Sequence, residues 1–130
     1  MELIHIPMSP GELLDKITIL EIKSERIEDP AKVANVRTEL DLLNATWTKA
    51  VSIDETVQRL HRELKSINEE LWVIEDDIRD KERAKEFDDR FIELARAVYV
   101  TNDKRANAKK ELNLHLGSTI VEEKSYQDYT

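Results

Sequence analysis

Apolar residues recur along most of the chain at alternating spacings of three and four positions, which places them on one face of an α-helix. The longest of these stripes contains Val57, Leu60, Leu64, Ile67, Leu71, Ile74 and Ile78. Other stripes run from Leu13 to Ile27, from Val33 to Ala50 and from Phe91 to Leu112. Such spacing is typical of helices that pack along a coiled-coil-like seam. The pattern therefore predicts four amphipathic helices.

Residues that interrupt helices are rare, and they stand where helices are expected to begin or end. The chain has two glycines and three prolines, and none of them lies between Pro30 and Gly117. Ser9, Asp29 and Ser52 each precede a helical stripe, and we expect them to be N-caps because a short polar side chain there accepts a backbone N–H. Gly117 is expected just after the last helix, where a left-handed backbone is favoured.

These signals predict an all-α protein, with one domain over residues 1–130 folded as an up-down-up-down four-helix bundle. Two helices are shorter and two are longer. Short β-prone flanks at 3–6 and 119–121 are expected at the same end of the bundle, where they pair or pack across that end. The tail with its tyrosines is expected either to dock on that end, which we favour, or to be free as a ligand for another molecule. The predicted helices span about residues 10–28, 30–50, 53–83 and 88–116, followed by a tail at 117–130.

Composition narrows the classes of function. Charged residues make up 37% of the chain and the formal net charge is −8, so the protein is a poor candidate for binding nucleic acid. It has no cysteine, which excludes disulfides and thiolate chemistry. The opening residues lack the basic and apolar regions of a signal peptide, and no apolar run is long enough to span a membrane. We therefore expect a cytoplasmic protein with no membrane association.

The unequal helix lengths predict an exposed apolar tip. The last two helices are longer than the first two by about 15 Å, because each residue adds about 1.5 Å. The overhang is expected where helix three ends and helix four begins, and it needs a cover. Either the first two helices splay or shift to cover it, or the hairpin is stable without a cover, or a partner covers it. We favour self-association as a homodimer, or docking to another protein, through Ile78, Phe87, Phe91 and Ile92.

A polar interruption in the stripe of helix four is the strongest candidate for a ligand site. Counting along the predicted helices brings polar residues of all four helices to one level, namely Ser24, Asn35, Asn68, Thr101, Asn102 and Arg105. A buried guanidinium needs an acidic partner, and Glu21, Glu25 or Glu69 is expected to supply it. The layer is either a network that fixes helix register, which we favour, or a pocket in which Arg105 clamps an anionic ligand.

Motifs for catalysis or metal binding are not found. The acidic run at 75–80 has spacing that suits a divalent ion, but Arg79 interrupts it, and a solvated face is the favoured interpretation. A di-iron bundle needs Glu-x-x-His on two helices, and the chain has that spacing once, at Glu2 and His5. We therefore expect no catalytic residue, no metal and no cofactor.

Three segments carry a resemblance to a known family: SPGELLDKITILEIK at 9–23, ELWVIEDDIRDKE at 70–82, and FIELARAVYVTNDKRA at 91–106 with EEKSY behind it. Together they resemble an uncharacterised domain-of-unknown-function family of small helical proteins from marine bacteria and phages. Some members of that family are encoded near glycosyltransferases. The resemblance implies no activity and no site residue, and it raises the expectation of a role near glycan assembly by association only.

The sequence thus favours a non-enzymatic helical interaction or assembly module that self-associates or docks to a cytoplasmic partner. The alternative is a small enzyme or binding protein for an anionic metabolite, such as a sugar phosphate or a nucleotide, at the polar layer around Arg105.

Overall fold

The computed structural model describes residues 1–130 as four α-helices, with no β-strand. Their bounds are α1 Pro10–Arg26, α2 Pro30–Ala50, α3 Glu55–Ala84 and α4 Asp89–His115. The all-helical prediction is confirmed, and each helix lies within two residues of its predicted bounds. The flanks at 3–6 and 119–121 differ from the β-prone prediction, because no backbone hydrogen bond joins them to each other.

Polar side chains begin the helices largely where the sequence places them. The hydroxyl of Ser9 accepts the backbone N–H of Glu12 at 3.2 Å, and Asp29 accepts that of Ala31 at 3.0 Å. Helix α3 is different, since its N-cap is Asp54 and not the predicted Ser52. A carboxylate at an N-cap also interacts favourably with the positive end of the helix dipole. The physical signal for Asp54 was therefore at least as good as that for Ser52.

Left-handed residues end the two long helices. Lys85 follows α3 with φ 56°, and Gly117 follows the C-cap of α4 with φ 65°. The N–H of Ser118 donates to the carbonyl of Asn113 at 2.9 Å, which satisfies one of the free carbonyls at the end of α4. The break predicted between residues 83 and 88 and the glycine stop at 117 are both confirmed.

Helix α1 lies at the centre of the fold. It packs against the other three helices, whereas the backbone of α2 approaches that of α1 alone, and α3 packs chiefly on α4. Two ion pairs show how the helices are directed, because each joins the start of one helix to the end of α4. Glu12 of α1 pairs with Lys109, and Arg59 of α3 pairs with Glu111. Both α1 and α3 are thus antiparallel to α4, while α2 is a peripheral helix and exposes most of its surface.

Because α1 has three neighbours, it is buried around most of its circumference. Leu14 and Ile22 lie off the predicted apolar stripe, yet they are as buried as Ile17 and Leu20, which lie on it. A single apolar stripe underestimates burial in a helix of this kind. The central core consists of Leu14, Ile17, Trp47, Val57, Leu60, Leu64, Ala108 and Leu112.

Glycine allows α1 to approach α4 closely at its first turn. The backbone N–H of Gly11 donates to Oδ1 of the buried Asn113 at 2.7 Å. A Cβ atom at Gly11 would lie 2.5 Å from the carbonyl oxygen of Lys109. A larger residue at position 11 therefore requires the two helices to separate.

The second half of α3 leaves the core. Its buried residues are Val57, Leu60, Leu64 and Asn68, and none follows them. Leu71, Ile74 and Ile78 continue the predicted seam but are only half-buried. The reason is that α1 is short. The pairs Glu12–Lys109 and Asp15–Arg105 set an antiparallel register in which Arg26, the last residue of α1, lies at about the level of Leu94. Beyond that level α3 and α4 cover only each other.

We predict that core truncation separates the two halves of α3. Replacing Leu64 by Ala should lower the free energy of unfolding by about 2–5 kcal/mol, because the side chain is fully buried. Leu71→Ala should cost less than about half of that, since Leu71 borders solvent. Urea denaturation of both variants measures the difference. Equal losses would contradict the view that the seam leaves the core after Asn68.

Candidate functional site

A buried ion pair between α1 and α4 is the chemical centre of the molecule. The carboxylate of Asp15 is fully buried, and the guanidinium of Arg105 binds it with two nitrogens, Nε lying 2.9 Å from Oδ1 and Nη2 contacting Oδ2. The hydrogen bonds to Asp15 raise the pKa of Arg105, although its partial burial acts in the opposite direction. This two-point geometry is the strongest form of an arginine–carboxylate contact.

A third helix completes the network. The side-chain amide of Asn68, on α3, donates to Oδ1 of Asp15 at 2.9 Å and to Oγ1 of Thr18 at 3.0 Å. The hydroxyl of Thr18 donates in turn to the carbonyl oxygen of Asp15 at 2.8 Å. Asp15, Thr18, Asn68 and Arg105 therefore tie α1, α3 and α4 together at one level. We call these four residues the polar layer.

The structure brings together only some of the residues predicted for this layer. Asn68 and Arg105 belong to it, Thr101 is buried in α4 one turn away, and half-buried Asn102 lies beside it. Ser24 instead donates to the carbonyl of Glu21 within its own helix, and Asn35 is exposed on peripheral α2. Those two predictions are wrong, because counting along straight helices assumed that all four surround one axis.

The acid that neutralises Arg105 is Asp15, and not one of the three predicted glutamates. Glu21 contacts His61, Glu25 pairs with Lys65, and Glu69 pairs with Arg26. The sequence did contain a signal for Asp15, since it is an acid within the apolar run of α1. Asp15 is buried because α1 contacts its neighbours through more than one face.

Two open grooves meet at Arg105 and Asn102. One, of about 430 Å³, lies towards α3 and is bordered by Trp72, Arg79 and Lys23. The other, of about 420 Å³, lies towards the start of α1 and the C-terminal segment. Both volumes are in the range of small-molecule sites. Arg105 lines both grooves while its carboxylate partner stays buried beneath it.

The second groove contains a further charge cluster. Lys109, mostly buried, places its amine 2.6 Å from Glu12 and 3.2 Å from Glu122. Burial alone would lower the pKa of Lys109, but the carboxylates, Glu12 first among them, outweigh it and raise that pKa. The hydroxyl of Ser9, which caps α1, donates to Glu122 as well. A tail residue is thus bound between α1 and α4.

The rest of the tail lies along α4, and not across the end of the bundle as predicted. Lys124 forms an ion pair with Asp103, and the hydroxyl of Tyr129 donates to the same carboxylate at 2.6 Å. The ring of Tyr129 packs edge-on against Tyr99, with centroids 5.0 Å apart. These hydrogen bonds, from Lys124 first, lower the pKa of Asp103.

The far end of the α3–α4 hairpin presents apolar side chains to solvent. Phe87 is 57% exposed and Ile92 is 53% exposed, while Phe91 and Ile78 are half-buried. The rings of Phe87 and Phe91 meet edge-on at 5.2 Å between centroids. We call these four residues the hairpin tip, and they are the residues for which an interface was predicted.

No group of three or more His, Cys, Asp or Glu side chains is arranged to hold a metal ion. None of the four helices is both long and apolar enough to cross a membrane.

We predict that the ion pair behaves as a unit. Arg105→Met leaves a buried carboxylate without its cation, so it should lower stability by about 3–5 kcal/mol. The double variant Asp15→Asn with Arg105→Met removes both charges and keeps an acceptor for Asn68, so it should recover most of the loss. Urea denaturation of the single and double variants measures the coupling. Additive losses would mean that the two side chains do not interact.

Comparison with known proteins places the chain in a family without an assigned activity. No curated protein matches it, and no solved structure matches it. The match that is found covers residues 4–129, nearly the whole chain, and its description is a family of unknown function, DUF6165. The expected resemblance to an uncharacterised family is thereby confirmed. The chain belongs to the DUF6165 family.

Proposed function

We propose that the protein is a non-enzymatic helical interaction module that self-associates as a homodimer through the hairpin tip, in the cytoplasm. The observation that carries this proposal is the solvent exposure of Phe87 and Ile92 where α3 and α4 extend beyond α1. Exposed apolar surface of this kind is typical of protein contact sites, since its burial is favourable.

The surroundings of the tip fit a protein interface. Arg90 pairs with Glu93 at 3.2 Å, and Lys81 lies 2.9 Å from Glu86 and 2.8 Å from Asp88. Charges already paired within one chain form a polar rim around an apolar centre, which is the usual organisation of interfaces. A second copy of the same surface offers the same apolar centre, so a two-fold contact needs no other partner.

The expectation that the family occurs in marine bacteria and phages, with some members encoded near glycosyltransferases, adds only an association. It favours a pathway near glycan assembly and names no partner. That context stays a prediction.

The self-association proposal predicts that one charge at the tip separates the protomers. The unmodified protein should sediment as a dimer, and Ile92→Asp should sediment as a monomer, because a charge cannot be buried there without a partner. Leu42→Asp is a matched control, since Leu42 is 46% exposed on α2 and far from the tip. It should leave the dimer intact. A monomeric unmodified protein at high concentration would exclude the proposal.

The alternative function is binding of an anionic metabolite, such as a sugar phosphate or nucleotide, at the polar layer. The two grooves that meet at Arg105 support it. The bidentate contact with Asp15 supports it less, because a guanidinium already neutralised by a buried carboxylate attracts an anion weakly.

We therefore predict that millimolar sugar phosphates and nucleotides leave the melting temperature unchanged. A ligand that binds the folded chain raises its stability by RT ln(1 + [L]/Kd), so a thermal-shift series is sensitive to weak binding. Asn102→Ala is the matched variant, because Asn102 lines both grooves. A rise in melting temperature that this variant abolishes would establish the alternative and not the proposal above.

A further inference from the structure

The C-terminal tail is attached to the helices by side chains alone. Residues 119–130 make no backbone–backbone hydrogen bond, and all of them are exposed except half-buried Val121. The tail turns away from α4 at Gly117 and then runs back along it towards Tyr99. It therefore lies on the helices as a segment without helix or strand, and it turns between Lys124 and Tyr129, which contact the same carboxylate of Asp103.

The part of the surface that faces Glu122 and Glu123 carries more cations than acids, although the whole chain carries a net charge of −8. Among the side chains that the helices contribute to this groove, three are cations, Arg105, Lys109 and Lys110, and one is an acid, Glu12. Arg105 is neutralised by Asp15 from below. Lys109 is shared between Glu12 on α1 and the tail, whereas Lys110 has no acidic partner on the helices and faces the tail alone.

Two adjacent carboxylates of the tail form ion pairs with those two lysines. Glu122 accepts from the hydroxyl of Ser9 and lies 3.2 Å from the amine of Lys109. Glu123 lies 3.2 Å from the amine of Lys110. Partial burial alone would raise the pKa of Glu122, but the contacts with Ser9 and Lys109 outweigh it and lower that pKa. The groove thus favours a carboxylate in its ionised form.

The tail has a second set of contacts with α4, nearer the start of that helix. Asp103 accepts the hydroxyl of Tyr129 and pairs with Lys124, while Tyr99 packs against the ring of Tyr129. The two sets of contacts together hold the tail by the adjacent carboxylates of Glu122 and Glu123 and by the downstream tyrosine Tyr129.

We propose that this groove is a docking site for an acidic peptide segment of a protein partner, and that the tail is an internal ligand that occupies the site until the partner displaces it. The recognition elements are Ser9, Lys109 and Lys110 for two adjacent carboxylates, and Tyr99 with Asp103 for a downstream tyrosine. This site is separate from the hairpin tip and does not depend on dimerisation.

The energetics permit displacement. The contacts of Lys110 and Asp103 are exposed ion pairs, which contribute little to stability and weaken as salt rises. A short tether nevertheless gives the tail an effective concentration on the order of millimolar. A partner segment must therefore bind better than the tail does, which keeps the groove closed to weak acidic peptides.

The test uses the full chain with its tail displaced. Glu122→Lys and Glu123→Lys together place cations against Lys109 and Lys110, so the tail should leave the groove. A fluorescent peptide with the sequence of residues 118–130 should then bind at least tenfold more tightly to this double variant than to the unmodified chain. Fluorescence anisotropy measures both affinities, and the affinity for the variant should fall as salt is added.

Two controls make the result specific. Lys110→Ala, added to the displaced-tail chain, should weaken peptide binding at least tenfold without offering the altered tail a new partner, and Lys110 is exposed enough that its replacement should leave the melting temperature unchanged. A peptide of the same composition in scrambled order should also bind at least tenfold more weakly. Equal affinity for the unmodified and displaced-tail chains would overturn the proposal. Equal binding of the scrambled peptide would overturn it as well, because it would indicate attraction to any anion.

Discussion

The buried carboxylate of Asp15 is the constraint on which the rest of the structure depends. An ionised group inside a protein is tolerated only when hydrogen bonds and an opposite charge surround it. Asp15 obtains these from Arg105 on α4 and Asn68 on α3. Sliding α1 along either neighbour would break at least one of these contacts, so the polar layer sets the register of three helices at once. The apolar core above it, which tolerates exchange more readily, does not specify register as strictly.

The central position of α1 follows from the same requirement. A helix that must supply Asp15 to one neighbour and Thr18 to another is enclosed by both, and α2 then covers the remaining face. Because α1 is short, α3 and α4 continue past its end as a hairpin of two helices. The exposed apolar tip is thus a consequence of unequal helix lengths around a central helix. The proposed self-association would bury this tip, which no helix of the same chain covers.

The two proposed contact surfaces differ in chemistry and lie at different levels of α4. The hairpin tip is apolar, with a rim of charges paired inside the chain, which fits a symmetric contact. The groove under the tail is cationic and polar, and its occupant is already an acidic segment of the same chain. Arg105 lines the groove, but its own charge is directed to Asp15. The polar layer is therefore a structural base for the groove, with Lys109 and Lys110 as its recognising side chains.

Local physics in the sequence determined the helices themselves. The repeat of apolar positions, the caps at Ser9 and Asp29 and the stop at Gly117 act between residues near each other in the chain, so they are readable without the fold. The exposed tip followed from helix lengths by the same kind of counting. Tertiary structure alone decided that Asp15 is the partner of Arg105, that Ser24 and Asn35 lie outside the layer, and that the tail lies along α4. Those facts depend on which helix is central and on how closely helices approach, as at Gly11, and one amphipathic stripe per helix carries no information about either.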